Sequence, residues 1–138
     1  MIITGIAAVV PYAGKHLLGD EKGMPWRCRE DLQFFKAMTL GKTCIVGHRT
    51  AQGLPLLVGR NLKIWTRDVR PYDLLESLNE PEVMVIGGGA TYRAFKAHMS
   101  EFVLSVLDPR HLVRAVGAQP VWLDEDLVNN EMTTKVEF

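Results

Sequence analysis

The sequence is poor in the residues that several common chemistries need. Two cysteines in 138 residues, Cys28 and Cys44, are too few for a disulfide framework. No basic leader or small-residue cleavage site accompanies the apolar N-terminus, so both read as reduced thiols of a cytoplasmic protein. The four histidines (His16, His48, His98, His111) fall at no metal-ligand spacing, among themselves or with the cysteines, and no metal centre is expected. Formal net charge is zero, and no basic stripe is interleaved with aromatics. Neither nucleic acid nor a membrane surface is therefore an expected partner. No apolar run is long enough to cross a bilayer. A Gly-x-Ser-x-Gly elbow and a P-loop are both missing, which sets those two chemistries aside. Repeats, low-complexity tracts and linkers are absent as well.

What is present suits a soluble globular protein. Hydrophobic residues make up 47% and charged residues 23%, and the length fits one domain, residues 1–138, with a real core and no room for a second. Ile2 to Val10 is an almost continuous apolar run, expected as a central strand covered on both faces and ended by Pro11. Tyr12 to Gly23 reads as a mobile loop, loosened by Gly14, Gly19 and Gly23. A helix is expected from Arg29 to the stop at Gly41-Lys42, then a buried strand over residues 43–46 ending at Gly47. A short helix after Thr50, a loop over 54–59 and a strand over 61–66 follow. Next come a helix over 72–78, a strand over 82–86, the Gly87-Gly88-Gly89 turn, a helix over 90–97 and a buried strand over 102–107. Residues 121–123 and 132–138 are candidate edge strands. Strands alternating with helices imply an α/β fold, its sheet largely parallel and wrapped on both faces.

The segment that organises the rest is Met24-Pro25-Trp26-Arg27-Cys28-Arg29-Glu30-Asp31. Pro25 biases Met24 away from helical geometry, so the chain enters its helix from an extended loop. Leu32, Phe35 and Met38 repeat at helical spacing, with Phe34 beside them. Asp31 stands one turn from Phe34 and Phe35, so its carboxylate leans over the apolar stripe, while Arg29 and Glu30 face water. Asp31 has a plain reading as a first-turn acid complementing the helix dipole. The alternative is a desolvated carboxyl at the floor of a ligand pocket, its pKa raised until a ligand donor stabilises the charge. Trp26, a flat apolar wall with one N–H, suits a planar heteroaromatic guest and favours the second reading.

Two strand-to-helix turns, Gly47-His48-Arg49-Thr50 and Gly87-Gly88-Gly89-Ala90-Thr91-Tyr92, would present free backbone N–H groups, and together could seat a dinucleotide pyrophosphate. The second is not the Rossmann fingerprint, because Tyr92 stands where the third glycine belongs. Thr66-Arg67 ends a strand with a cation suited to a 2′-phosphate, or is simply surface. Arg60 could fork onto a carboxylate. Ser105, inside a buried strand, needs a partner, and Asp31 or a backbone carbonyl could supply it.

Met24-Pro25-Trp26 followed by Asp31-Leu32-x-x-Phe35-Lys36 resembles the substrate-binding segment of dihydrofolate reductases. Ile6-Ala7-Ala8, Gly59-Arg60, Thr66-Arg67, Val85 to Gly89 with Tyr92, and Leu104-Ser105 follow in that family's order, over about residues 1–108. Leu18-Gly19-Asp20 with Gln52-Gly53-Leu54-Pro55 is similar to phage-encoded members, whose place would be the host cytoplasm. The resemblance implies a shortened three-layer α/β/α fold on a mostly parallel mixed sheet. It also implies hydride transfer from NADPH to C6 of 7,8-dihydrofolate, with protonation at N5 by water, and sensitivity to antifolates. Asp31, Trp26 and Ser105 would form the catalytic group, with Asp31 holding the pterin's N3 and 2-amino edge, assisted by Ser105. Ile6, Ala7, Leu32, Phe35, Leu54 and Ile86 would line the substrate pocket, and Arg60 would hold the α-carboxylate. Ala8, Leu18, Gly47, His48, Arg49, Thr50, Thr66, Arg67, Gly87, Gly88, Gly89, Ala90, Thr91 and Tyr92 would line the cofactor channel, and the loop from Tyr12 to Met24 would close over it.

Three departures stand out. His48 replaces an arginine common in the family, with Arg49 adjacent. The stretch from Arg67 to Glu82 is short, as if a strand and part of a helix were missing. The C-terminal part lacks a clear closing hairpin, which would leave a sheet edge open for a second chain in an otherwise monomeric protein. A riboflavin-pathway pyrimidine reductase shares the fold and the glycine turn, but is not expected to carry Met24-Pro25-Trp26 and Asp31. A non-catalytic ligand-binding or structural protein on the same scaffold is the reading from a different class.

Overall fold

Strand β1 (Ile2–Tyr12) is the axis of the computed structural model, which describes residues 1–138. Its first residues pair in parallel with β5 (Glu82–Gly87), and Thr4 to Val9 pair in parallel with β6 (Glu101–Val106) on the other edge. With neighbours on both edges and cover on both faces, only a run apolar throughout can fill the position. Beyond β5 lie β3 (Thr43–Gly47) and β4 (Asn61–Trp65), both parallel. Beyond β6 lies β8 (Thr133–Glu137), parallel again. The last residues of β1 pair antiparallel with β2 (Lys15–Gly19), and β2 with β7 (Val121–Trp122), completing eight strands.

Helices cover both faces. On one side α1 (Arg29–Thr39) and α2 (His48–Gly53) set Phe34, Phe35, Met38 and Ala51 against Ile6, Cys44, Val46, Met84 and Ile86. On the other, α3 (Pro71–Ser77), α4 (Gly89–Phe95) and α5 (Glu125–Val128) contribute Leu75, Tyr92, Phe95, Leu127 and Val128 to the main core. That core includes Phe102, stacked edge-on against Tyr92 at 5.5 Å. Complete burial of a side chain such as Phe95 or Phe102 contributes about 1.5–3 kcal/mol. The layering is the expected three-layer α/β/α arrangement on a mixed, mostly parallel sheet.

Several local expectations need correcting. Pro11 does not end β1; the strand runs on to Tyr12. There β1 has β2 on one edge only, and an edge strand tolerates a missing N–H. Residues 12–19 are not a loop, because a tight turn at Ala13 and Gly14 (φ 52° and 76°) folds β2 back onto β1, which leaves residues 20–23 as a turn. That geometry is the one right-twisted hairpins prefer, and an alanine in it gives no turn signal. The helix expected after Thr50 begins at His48. Helix α5 was not expected at all. The edge beside β6 is not open, since five residues of β8 pair along it, and β8, which pairs with β6 alone, becomes the edge strand on that side. Between β4 and β5 the chain forms α3 and no strand.

Candidate active site

Helix α1 turns toward the sheet through positions 31, 34, 35 and 38, the i, i+3, i+4, i+7 face of an amphipathic helix. Phe34, Phe35 and Met38 fill three of these places with apolar groups, and the first is filled by Asp31, a residue only 8% exposed. Leu32 lies off this arc and is exposed, so it belongs to the rim and not to the stripe. Burial pushes the Asp31 carboxyl up from its ordinary value, against the pull of the Ser105 hydroxyl and the His111 ring. Its neighbour Glu30 is exposed and moves down, held by backbone N–H and by the Cys28 thiol, whose Sγ lies 3.5 Å from Oε2. One residue of helical rotation separates a solvated acid from a desolvated one.

Ser105 is buried on β6 at the register position of Ala8 on β1. The pull of its hydroxyl on the Asp31 carboxyl places the two near each other. Trp26, 8% exposed, packs with Val10, Leu17, Cys28 and Leu107. Its backbone bridges Leu112, flanked by Arg27 N donating to His111 O (2.9 Å) and Val113 N donating to Pro25 O (2.9 Å). His111 was missed by sequence reasoning: it reaches this corner from a separate segment, with Nε2 enclosed and unpartnered, and no spacing signalled it.

Ile6, Phe35, Leu54 and Ile86, four of the expected pocket residues, gather in one apolar cluster with Leu57 and Val103. Ala7 points through the opposite sheet face into the main core and could offer only its backbone here. Beside the cluster is a cavity of about 490 Å³ lined by Ala51, Leu54, Leu57, Leu62 and Arg60 among others. Arg60 buries Nε and Nη1 there with no hydrogen-bond partner. Enclosed charged donors without acceptors are costly, and an incoming anion removes the cost.

The two glycine-bearing turns touch. Val46 of β3 pairs with Gly87 of β5. A Cβ on Gly47 would overlap Thr91 Oγ1, and one on Gly88 would come within 2.7 Å of Thr50 Oγ1. Glycine at both positions lets the two turns approach without displacing these threonine side chains. The Gly87–Gly88 peptide is cis. His48 and Arg49, after β3, and Arg67, after β4, are exposed at the same end of adjacent strands. Leu18 and Ala90 are half-buried nearby, and a Cβ on Gly89 would touch Leu18 at 3.7 Å. Thr66 is differently engaged, since its hydroxyl donates to Asp68. Tyr92 is fully enclosed and its hydroxyl donates to Ile6 O at 2.6 Å, which makes it part of the wall and not an open channel residue.

A family model described as dihydrofolate reductase matches residues 5–120. Among curated relatives, the dihydrofolate reductase type 3 of Salmonella typhimurium is 32% identical over 121 residues, 78% of this chain and 73% of its own. The dihydrofolate reductase of Mycobacterium leprae is 32% identical over 93 residues, 56% of each chain. That of Mycobacterium tuberculosis is 31% identical over 102 residues, 65% of this chain and 63% of its own. The matched stretch therefore spans less than two thirds of either mycobacterial protein. With the family model spanning most of the sequence, and the same motifs gathered around one buried acid, this chain belongs to the dihydrofolate reductase family.

Proposed function

We propose that the chain reduces 7,8-dihydrofolate to 5,6,7,8-tetrahydrofolate with NADPH. One observation carries the reading: a desolvated acid, Asp31, and a half-buried arginine, Arg60, with two enclosed unpartnered donors, border the same apolar cluster. That arrangement fits a ligand with a planar donor edge at one end, aromatic rings in the middle and a carboxylate at the other. Asp31 would bind the pterin's N3 and 2-amino edge, Phe35, Leu54 and Ile86 would enclose the rings, and Arg60 would pair with the α-carboxylate. Burial raises the Asp31 pKa and donors on a bound ligand lower it, so ligand binding and Asp31 ionisation are coupled. The ionised acid then orients the ring and electrostatically favours the substrate protonated at N5, with water delivering that proton because Asp31 lies at the pterin's other edge. The abutting turns at Gly47 and Gly88, with His48, Arg49 and Arg67 uncovered beside them, fit a phosphate-rich dinucleotide. NADPH supplies the hydride when bound. Trp26 walls the reacting centre from solvent.

The reading extends to a cytoplasmic enzyme sensitive to antifolates. No helix is long and apolar enough to cross a membrane. Mixing purified protein with NADPH and dihydrofolate tests the proposal through the fall in cofactor absorbance. Asp31→Asn should abolish most turnover while leaving NADPH affinity unchanged. Absent turnover in the parent protein, or equal loss of both properties in the variant, would overturn it.

A further inference from the structure

Strands β4, β7 and β8 end the sheet, each paired with one other strand only. Strand β7 is two residues long, and Lys63 stands at the middle of β4, where a second copy would set it against itself. The edge of β8 is different. Alternate residues of a parallel strand turn both backbone groups toward the same neighbour. Phe138 N donates to Val106 O (3.1 Å), Phe138 O accepts from Asp108 N (2.9 Å), and Met132 O accepts from Phe102 N (3.0 Å). Thr134 and Val136 share that inward direction, so the N–H and C=O groups of Lys135 and Glu137 point away from β6, where no strand lies. The side chains of Lys135 and Glu137 stand on one face of the sheet, in register with Leu104 and Val106. Both are exposed, and neither forms an ion pair.

Two copies that continue one sheet across a twofold axis perpendicular to it must pair residues of the same face, so their register can shift only in steps of two. Centred on Lys135, the pairing would set that cation against its own copy. Centred on Val136, it sets Lys135 opposite Glu137 of the second copy, once on each side of the axis. These are the outward-facing residues, so each such pair exchanges both of its N–H···O bonds. On the other face Val136 meets its own copy and Thr134 meets Phe138, at the closer spacing of non-hydrogen-bonded pairs. Opposite charges, and aromatic with β-branched side chains, are favourable cross-strand combinations. A lysine on an edge strand ordinarily repels a second strand. Here Glu137, two residues on, makes it half of a match. We propose that the outer edge of β8 joins a second copy of this chain in an antiparallel pair centred on Val136. The inference stands apart from the reductase reading, because no residue of the edge belongs to that site.

Sedimentation equilibrium of the purified 138-residue chain, carried up to about 1 mM, reads the association. The parent should form a dimer with Kd between about 1 µM and 1 mM, the range for so short an interface. Lys135→Glu and Glu137→Lys each turn both attractive pairs into repulsive ones and should raise Kd about tenfold or more. An equimolar mixture of these two variants should associate as well as the parent, because every carboxylate then faces an ammonium again. Both side chains are exposed, so the variants should fold, and circular dichroism checks this. Lys135→Pro removes an N–H that points away from the sheet, a loss an edge strand tolerates, and should leave a monomer. If that variant does not fold, the charge mixture decides. A parent that stays monomeric at about 1 mM would overturn the proposal. So would a dimer that neither charge variant weakens, or a mixture that binds no better than either variant alone.

Discussion

Asp20 and Asp31 are two aspartates with nearly equal surface exposure, 9% and 8%, but Asp31 lies deeper in the fold, and their carboxyls move in opposite directions. Around Asp20 the Arg114 guanidinium and the N–H groups of Lys22 and Gly117 occupy both oxygens and hold the carboxyl far below the carboxylate range. Around Asp31 burial wins, with only Ser105 and His111 opposing it. Enclosure alone therefore does not mark a functional acid; the number of donors left for a ligand does. Asp20 has spent its acceptors on the protein, and Asp31 has kept its own for something else.

The sharpest test of that contrast is to neutralise each acid. Asp31→Asn should cut turnover about 10²–10³-fold, the range for losing one charge-stabilising group in an enclosed site, while folding stability holds or rises. Asp20→Ala should do the converse, lowering the midpoint of urea unfolding because Arg114, Lys22 N and Gly117 N lose their shared acceptor. If Asp31→Asn destabilised the fold as much as Asp20→Ala, the distinction would be lost.

Stability against pH should separate the two acids by sign. The folded pKa of Asp20 lies below its unfolded value of about 3.9, so its contribution is present above that value and fades as pH falls through the folded pKa. The advantage of the parent over Asp20→Asn should thus shrink in acid. For Asp31 the folded pKa lies above about 3.9, so its contribution is complete below that value and is lost as pH rises through the folded pKa. Asp31→Asn should therefore gain on the parent as pH rises, in ligand-free unfolding curves. Parallel slopes for both variants would refute the assignment.

The smallest effect expected is that of Ser105→Ala. Losing a hydroxyl that lowers the Asp31 pKa should move the acid limb of the turnover profile upward by about half to one pH unit, the equivalent of one hydrogen bond. An unmoved limb would show that Ser105 faces something other than the acid.

Much of the fold could be read along the chain because its signals are local. The apolar run of β1, the glycine stops after α1 and β3, and the Gly87 turn each depend on residues within one element. The i, i+3 and i+4 spacing of Asp31, Phe34 and Phe35 placed the acid among phenylalanines without any knowledge of the sheet, whereas Leu32, counted in the same stripe, proved exposed. Hairpin β1–β2 was hidden because Ala13 occupies a left-handed position that glycine or asparagine normally announces. Helix α5 is only four residues long and owes its existence to docking Leu127 and Val128 into a finished core.

The sequence by itself determined the alternation of strands and helices, the apolar wall, and the presence of an acid at its head. Periodicity and turn chemistry act over a few residues and need no partner. Tertiary structure alone decided which segments meet: β8 along β6, His111 beside Asp31, and Arg114 on Asp20 across 94 residues of sequence. Those pairings arise from where the sheet order delivers its loops, and a carboxylate's donors, hence its charge and its task, are settled only there.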